Sequence, residues 1–249
     1  MRATCVGGLA LLAFAAISAE AADPTSYTLA TYYRCNEATE ERADAIVKET
    51  IEPLLKKEVD GGRFTAFGWG KHWLGGEWRR VAYIIGTDLD KLLDGRQAYI
   101  DALMTQHKKA ADEFGAICTS HDDYLWSAIA SSQAPGDVAR VRGAYGVSTY
   151  FECSSQEDEA DAILKAAYVP VLNQHVKEGK LVSWTWLRHM MGGKYRRALV
   201  LDSADYKSAI KYWGLLGPAI DQAAPTMSAR FSDICHSHTD YVWELPAKK

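Results

Sequence analysis

Residues 69–80 of this chain read WGKHWLGGEWRR, and residues 186–197 read WLRHMMGGKYRR. The tryptophan, the histidine, the glycine pair and the arginine pair coincide, and the match extends in both directions. From Glu41 onward, roughly 25 of about 86 positions are identical to those at a constant offset later in the chain. The chain is therefore a tandem duplication, and the fold of a single repeat should account for most of the structure.

The first half of the repeat combines one strand and one helix. Residues 28–35 alternate and are rich in aromatic side chains, which predicts a strand. The following apolar residues recur at three- and four-residue spacings up to Gly61-Gly62, which predicts a helix. Pro53 and Pro170 lie inside this helix at equivalent places, so we expect a kink or break there in both copies.

The second half of the repeat predicts a hairpin, a helix and a final strand. Residues 64–73 and 78–86 read as strands joined by a two-residue turn at Gly75-Gly76. Residues 88–114 are predicted to be helical, and 121–127 to form the last strand. In the second copy we expect this helix to be broken by four residues: Gly214, Gly217, Pro218 and Pro225. The element order is β-α-β-β-α-β.

The N-terminus has the pattern of an export signal. Arg2 precedes a short apolar run, and Ala19-Glu20-Ala21 offers a small-x-small cleavage site. We therefore predict a periplasmic or secreted protein. The predicted organisation is a signal peptide over 1–21, a first repeat over 26–128, a linker over 129–143 and a second repeat over 144–245.

Charge and composition exclude two classes of partner. The 249 residues include 28 Lys and Arg against 32 Asp and Glu, giving a net charge of −4. No basic stripe is present, which argues against a nucleic-acid partner. No amphipathic basic helix is present either, so we expect no membrane partner once the signal has been removed.

A tandem pair of β-α-β-β-α-β units resembles the dimeric α/β-barrel superfamily of ferredoxin-like domains, with the usual homodimer fused into one chain. The resemblance implies an α+β fold in which two tandem ferredoxin-like repeats form a pseudo-dimeric α/β barrel, and a monomer acting as a pseudo-dimer. The superfamily includes small monooxygenases, haem-handling enzymes and binding proteins. None of their catalytic motifs is found in this sequence, so no catalytic residue is assigned by resemblance.

In this topology the last strand of each repeat runs antiparallel beside the first. Cys35 ends the first strand and Cys118 precedes the last, and Cys153 and Cys235 repeat the arrangement. We therefore predict the disulfides Cys35–Cys118 and Cys153–Cys235. The alternative is a metal or redox role, which no C-x-x-C spacing supports.

The hairpin carries the first candidate site. A two-residue turn places His72 opposite Arg79 and Lys71 opposite Arg80, and the second copy repeats this with Arg188 opposite Arg197. Opposed like charges are unfavourable unless an anion relieves them. The site is therefore predicted to bind an anionic or polar ligand. The alternative is that these residues pair with Asp and Glu from the helices or point into solvent. The tryptophans two strand positions before Lys71 and Arg188 either pack the core or line an apolar pocket. The ligand-binding candidates are Trp69, His72, Arg79, Trp186, His189 and Arg196.

The last strand carries secondary candidates. His121 and Asp123 share one strand face, and Tyr124 and Trp126 take the other. Each His–Asp pair can transfer protons, form half of a metal site, or cap the strand. Two ligands per repeat are too few for us to predict a metal. We expect the hairpin to lie at the opposite end of the sheet from His121. The secondary candidates are His121, Asp123, Tyr124, His238, Asp240 and Tyr241.

Three functions remain open from the sequence. The first is an exported binding or accessory protein that holds a partly aromatic or anionic small-molecule ligand in or near the barrel. The second is a haem-dependent or cofactor-free monooxygenase-like oxidoreductase, with a histidine as base or axial ligand. The third is a structural or interaction module without a ligand. No cofactor is predicted; a haem, if used, would be bound non-covalently because no C-x-x-C-H motif occurs.

Overall fold

The computed structural model describes residues 26–132 and 143–245. The predicted signal peptide and residues 133–142 of the predicted linker lie outside the described residues. Within the described ranges, no helix is long and apolar enough to cross a membrane.

The two repeats have the same order of elements. The first contains β1 (Ser26–Cys35), α1 (Glu40–Ile46), a π-helical turn (Val47–Ile51), α2 (Glu52–Asp60), β2 (Ala66–Leu74), β3 (Arg80–Gly86), α3 (Leu89–Gln106), α4 (Lys108–Ile117) and β4 (Cys118–Ser131). The second contains β5 (Tyr145–Glu152), α5 (Glu157–Ile163), a π-helical turn (Leu164–Tyr168), α6 (Val169–Lys177), β6 (Ser183–Gly192), β7 (Arg197–Ser203), α7 (Tyr206–Ala223), α8 (Pro225–Ile234) and β8 (Ser237–Glu244). The predicted β-α-β-β-α-β order is confirmed in both.

The eight strands close into one antiparallel barrel in the order β1-β3-β2-β8-β5-β7-β6-β4. Each repeat supplies a four-stranded sheet, and the sheets join where β2 pairs with β8 and β4 pairs with β6. The fold is therefore α+β, with two ferredoxin-like units forming the barrel that a homodimer would otherwise build. Closure leaves neither sheet with an unpaired edge.

Strand alternation separates an aromatic interior from a helix-covered exterior. Tyr32 points into the barrel, whereas its neighbour Tyr33 packs against the helices. Tyr32 stacks on Trp78 at 4.1 Å between ring centroids, and Trp78 stacks on Tyr241 at 4.9 Å. The interior keeps a chamber of only about 80 Å³, which suits a few water molecules. A chamber of this size is too small for a ligand of several rings.

The proline-containing helix is irregular in both copies, as predicted. The π-helical turns end at Ile51 and Tyr168, two residues before Pro53 and Pro170. Proline lacks an N–H and its ring crowds the preceding turn, so a wider turn at this point relieves the clash.

The later helix agrees with the prediction only in part: the second copy is broken beside Pro225, as expected, but the first copy is broken as well. Residues 88–114 form two helices, because the chain leaves helical geometry at His107. In the second copy Gly214, Gly217 and Pro218 all lie inside the continuous α7, and the break comes at Ala224, before Pro225. The two copies thus break at equivalent places. The fold dictates the break, since tertiary packing outweighs the helix-breaking tendency of these residues.

Glycines at the hairpin turns let each repeat close on the other. Gly75 has φ of +92°, and a Cβ there would lie 2.0 Å from the carbonyl oxygen of Asp240. Gly192 has φ of +126° and approaches the carbonyl oxygen of Asp123 in the same way. The Gly-Gly pairs are therefore required both for the turn and for the contact between repeats.

Both predicted disulfides are present, joining Cys35 to Cys118 and Cys153 to Cys235. Cys35 pairs with Cys118 across β1 and β4, as the antiparallel arrangement requires. At its far end β4 continues to Ser131, because residues 130 and 131 still pair with β6. The first residues of the predicted linker thus belong to a barrel strand.

Candidate functional site

The arginines of the hairpins are already paired with carboxylates. Arg80 contacts Asp44 at 2.7 Å and Glu40 at 3.1 Å, and Arg79 contacts Glu40 at 2.9 Å. Lys71 lies 3.1 Å from Asp44, so this carboxylate relieves the predicted opposition of Lys71 and Arg80. The helical carboxylates thus occupy the place that an external anion would take.

The second repeat has the same network. Arg197 is fully buried and contacts Asp161 at 2.7 Å and Glu157 at 2.8 Å, while Arg196 contacts Glu157 at 2.6 Å. Burial alone would raise the pKa of the Glu157 carboxyl, but the hydrogen bonds from Arg196 and Arg197 outweigh burial and hold this pKa below its ordinary value. Both networks match the structural alternative, in which Asp and Glu from the helices neutralise the arginines.

The hairpin histidines have both ring nitrogens engaged. Arg79 donates to Nδ1 of His72 at 2.9 Å, so Nε2 carries the proton and donates to the carbonyl oxygen of Gly75 at 2.5 Å. His189 makes the equivalent contacts with Arg196 at 2.7 Å and Gly192 at 3.2 Å. Burial, aided by the Arg196 charge, lowers the pKa of His189. Neither imidazole has a nitrogen free for an axial bond or for proton transfer.

The two candidate tryptophans face the helices, not the barrel interior. Trp69 donates to Asp44 and Trp186 to Asp161, both at 2.7 Å. Trp186 is fully buried in the second-repeat core. Trp69, in contrast, forms part of a cavity wall. Core packing, one interpretation from the sequence, therefore describes Trp186, and lining of an apolar pocket, the other, describes Trp69.

The hairpin and the His–Asp pair lie at the same end of the sheet, contrary to our expectation from the sequence. Tyr33 pairs with Arg80 on one side and with His121 on the other. The reason is that β3 runs antiparallel to β1 and begins where β1 ends, so the hairpin and the start of β4 flank the same residue.

The His–Asp pairs form in both repeats. Nδ1 of His121 lies 3.3 Å from Asp123, and Nδ1 of His238 lies 2.9 Å from Asp240. Thr31 donates to the second oxygen of Asp123 at 2.6 Å. Within the described ranges, no group of three or more His, Cys, Asp or Glu is arranged to hold a metal ion.

Tyr124 and Tyr241, which directly follow the two His–Asp pairs in the sequence, pack inside the barrel. Tyr124 stacks on Trp126 and Tyr241 on Trp243 inside the aromatic interior. The hydroxyl of Tyr241 accepts a hydrogen bond from the backbone N–H of Glu77 at 3.1 Å, so it anchors the hairpin of the other repeat. These rings face away from His121 and Asp123.

A cavity of about 340 Å³ lies between the sheet and the helices of the first repeat. Its wall is mostly apolar and aromatic, and His121, Asp123, Thr31 and Arg96 add polar groups. The aromatic side chains in the wall are Tyr33, Phe67, Trp69, Tyr83, Tyr99 and Phe114. An apolar pocket with a few convergent polar groups has the character of a small-molecule site.

The second repeat fills the corresponding space. Its large side chains belong to the core that packs beneath α7, including Trp184 at 1% exposure and Leu199 at 3%. At the equivalent places the first repeat has smaller or polar residues. The replacements from first to second repeat are Ile51 by Tyr168, Phe67 by Trp184, Ala82 by Leu199 and Arg96 by Trp213.

Two tyrosines that line the cavity have raised pKa values. Burial raises the pKa of Tyr33 and of Tyr99, and the Asp123 carboxylate adds to both shifts. The positive charge of Arg96 acts in the opposite direction and lowers both pKa values, so Arg96 interacts electrostatically with both phenol groups. At neutral pH these tyrosines are therefore neutral hydrogen-bonding groups.

Arg96, Thr31 and Tyr99 were not identified from the sequence. A signal was available for Arg96, because Leu92, Arg96, Tyr99 and Leu103 follow a helical spacing that places a charge on an apolar face. The exchange of Arg96 for Trp213 between otherwise similar repeats was a second signal.

Haem, which the resemblance allows, does not fit this cavity well. Asp123 orients His121 as a carboxylate orients a metal-bound imidazole. However, a volume of about 340 Å³ is near the lower end for ligand pockets and is small for a tetrapyrrole with its two carboxylates. The cavity suits a ligand of one to three rings better than haem.

The comparisons with known proteins concern the fold. No protein-family model matches the chain, and no curated protein matches it in sequence. Among solved structures, the chain is similar to an anthrone oxidase-like protein, with a TM-score of 0.58, 14% identity, and 91% of this chain and 93% of that chain covered. It is also similar to a monooxygenase-like protein from Lactobacillus acidophilus, with a TM-score of 0.58, 7% identity and coverage of 88% and 93%.

A third similar structure is a chlorite dismutase variant from Candidatus Nitrospira defluvii, with a TM-score of 0.55, 13% identity and coverage of 89% and 92%. These similarities span nearly the whole of both chains, at identities that establish architecture and not activity. The chain has the fold of the dimeric α/β-barrel proteins, with both halves of the barrel on a single polypeptide.

Proposed function

We propose that this protein is exported and binds one small, partly aromatic molecule per chain in the first-repeat cavity. The observation that carries the proposal is the difference between the repeats. A space of about 340 Å³ stays open beside Ala82 and Arg96, whereas Leu199 and Trp213 occupy its equivalent. Filling such a space stabilises a fold, so an open one indicates a use.

The composition of the wall supports an aromatic ligand. Tyr33 and Phe114 meet edge to face at 5.2 Å, and Trp69 lies within 6.0 Å of both rings. Rings held in this way favour a further ring in offset or edge contact. The few polar groups, among them Thr31 and His121, can fix its orientation.

Export is supported by the two disulfides, since such bonds persist in oxidising compartments. It is also supported by the signal-like pattern over residues 1–21. Expression with its own N-terminus, followed by mass measurement of the product, tests export. A mature mass starting near Ala22 is expected, and full-length protein retained in the cytoplasm would contradict it.

Calorimetric titration with 1-naphthol tests the binding site. We expect one molecule bound per chain, and at least tenfold weaker binding by Ala82→Leu, which introduces the second-repeat side chain. Ala116→Leu is the matched control, because Ala116 is exposed on α4 outside the cavity. Unchanged affinity in Ala82→Leu would place the ligand elsewhere.

A second candidate function is cofactor-free oxidation, favoured by the His121–Asp123 pair in the cavity wall. Asp123 holds Nδ1 of His121, which leaves Nε2 to take a proton from an acidic ligand. The resulting carbanion or phenolate would react with O₂. For a CH₂ group between aromatic rings, two C–H bonds are lost, one oxygen atom becomes the carbonyl oxygen, and the other leaves as water, with four electrons passing to O₂.

Oxygen uptake with anthrone as substrate tests this candidate. We expect uptake of one O₂ per anthraquinone formed, and loss of at least nine-tenths of the rate in His121→Gln. His238→Gln is the matched control, because His238 belongs to the filled repeat. Equal rates in both variants would remove the catalytic role.

A further inference from the structure

Within the described residues, Arg96 forms no ion pair. Among the arginines of the two described ranges, every one except Arg96 and Arg188 forms an ion pair with a carboxylate. The Nε atom of Arg96 is also shielded from solvent, and no described residue accepts a hydrogen bond from it. Buried donors in native proteins normally have acceptors, so this one calls for an explanation.

The fold does not require an arginine at the position of Arg96. At the equivalent place on α7, Trp213 packs against the core and donates to Thr149 at 3.1 Å. An aromatic residue thus satisfies this site structurally, and a charge facing an apolar cavity carries a desolvation cost unless an anion meets it.

The other charged groups of the wall do not supply that anion. Asp123 is held by Thr31 and His121, and Glu52 is the remaining carboxylate that borders the cavity. Neither forms an ion pair with Arg96 in the described structure. The cavity therefore offers one unpaired guanidinium, which matches a single negative charge.

We propose that the ligand of the cavity is a small aromatic carboxylate, whose carboxylate accepts hydrogen bonds from the Arg96 guanidinium while its ring lies among Tyr33, Tyr99 and Phe114. This inference rests on the proposed function and deepens it. A guanidinium presents two parallel N–H groups that match the two oxygens of a carboxylate. A single monoanion also leaves the neighbouring Asp123 with less repulsion than a phosphate dianion would.

Calorimetric titration of the full oxidised protein with 1-naphthoate and its neutral isostere 1-naphthamide tests the proposal. We expect 1-naphthoate to bind at least tenfold more tightly, with one molecule per chain. Arg96→Met keeps most of the side-chain volume and should abolish the preference, while Arg96→Lys should retain part of it. Arg188→Met is the matched control, because Arg188 is the other unpaired arginine and lies outside the cavity; it should keep the full preference.

The outcomes separate this inference from the proposed function. Equal binding of the two compounds by the wild-type protein would overturn the carboxylate assignment and leave the aromatic site standing. A preference that survives in Arg96→Met would likewise overturn the role of Arg96. Binding of neither compound would overturn both proposals. Circular dichroism and thermal unfolding of each variant establish that lost binding is not lost folding.

Discussion

Arg96 and Trp213 occupy equivalent positions on α3 and α7, yet the arginine borders a cavity and the tryptophan packs into the core. The two repeats share their strands, disulfides and ion-pair networks. Their difference is concentrated in the volume beneath this helix. Within the described residues, the two halves of the barrel are therefore alike in their framework and differ in the volume beneath this helix.

This asymmetry predicts unequal stability effects. We expect Trp213→Ala to lower the free energy of unfolding by about 3 kcal/mol, because it empties a packed site. Arg96→Ala should change it by less than about 1 kcal/mol, since its surroundings are already open. Urea unfolding at pH 7 measures both. Equal losses would mean that the first-repeat helix is packed as tightly as the second.

The disulfides should contribute strongly and similarly. Cys35 and Cys118 are 83 residues apart, and Cys153 and Cys235 are 82 apart. Closing loops of this length is worth about 4 kcal/mol each in the chain-entropy account. The double variant Cys35→Ala/Cys118→Ala should lose about that amount in urea unfolding. Reduction of the wild-type protein should cause a larger loss than either double variant, and an equal loss would show that one bond contributes nothing.

Asp44 should make the free energy of unfolding depend on pH in the acidic range. Burial by itself would raise the pKa of this carboxyl, but the hydrogen bonds from Arg80 and Trp69 outweigh burial and hold the pKa below its ordinary value. Such a group stabilises the fold above its unfolded pKa of about 3.9, and this stabilisation is lost as the pH falls through the lowered folded pKa.

We therefore expect Asp44→Asn to lower the unfolding free energy by about 2 to 3 kcal/mol at pH 7, because it removes charge-assisted hydrogen bonds. The difference from wild type should shrink below about pH 4. Asp60→Asn is the control, since Asp60 forms an exposed pair with Lys56 and should cost less than about 1 kcal/mol. A difference that stays constant with pH would contradict the assignment.

The hairpin glycines should be more sensitive than a glycine at a helix end. Gly75→Ala forces a methyl group against the Asp240 carbonyl in addition to its strained φ, so a loss of about 3 kcal/mol or more is expected. Gly62 has φ of +73° but open space around it, so Gly62→Ala should lose only about 1 to 2 kcal/mol. Thermal unfolding compares the two, and equal losses would mean that the contact between repeats is unimportant.

Haem should not bind stably. Titration of the protein with hemin should give no sharpened or shifted Soret band and no dependence on His121, because the cavity is small for a macrocycle. A stoichiometric Soret shift that disappears in His121→Gln would instead support the haem-dependent alternative.

Much of the framework was predictable from local patterns. Alternation over residues 28–35, the Gly75-Gly76 turn and the matching second copy predict the strands, the hairpin and the ferredoxin-like order. That order in turn places Cys35 beside Cys118. These features depend on residues close in sequence or on repetition, and both are visible without a structure.

Other features depend on which distant residues meet. Carboxylates of α1 and α5 neutralise the hairpin arginines, a pairing between positions about 40 residues apart that no local pattern specifies. The hairpin lies beside His121 rather than at the far end, because sheet order determines which strand ends coincide. The break at Ala224 instead of at Pro218 likewise follows from packing.

The sequence by itself determined that this protein is a duplicated, disulfide-linked α+β chain, because periodicity and repetition are local properties. Only the tertiary structure decided where a cavity opens. The cavity is a volume left by small or polar residues on several elements, among them Ala82 on a strand and Arg96 on a helix. A volume of this kind depends on the sizes of side chains that meet in space, and residues far apart in the chain meet only in the folded barrel.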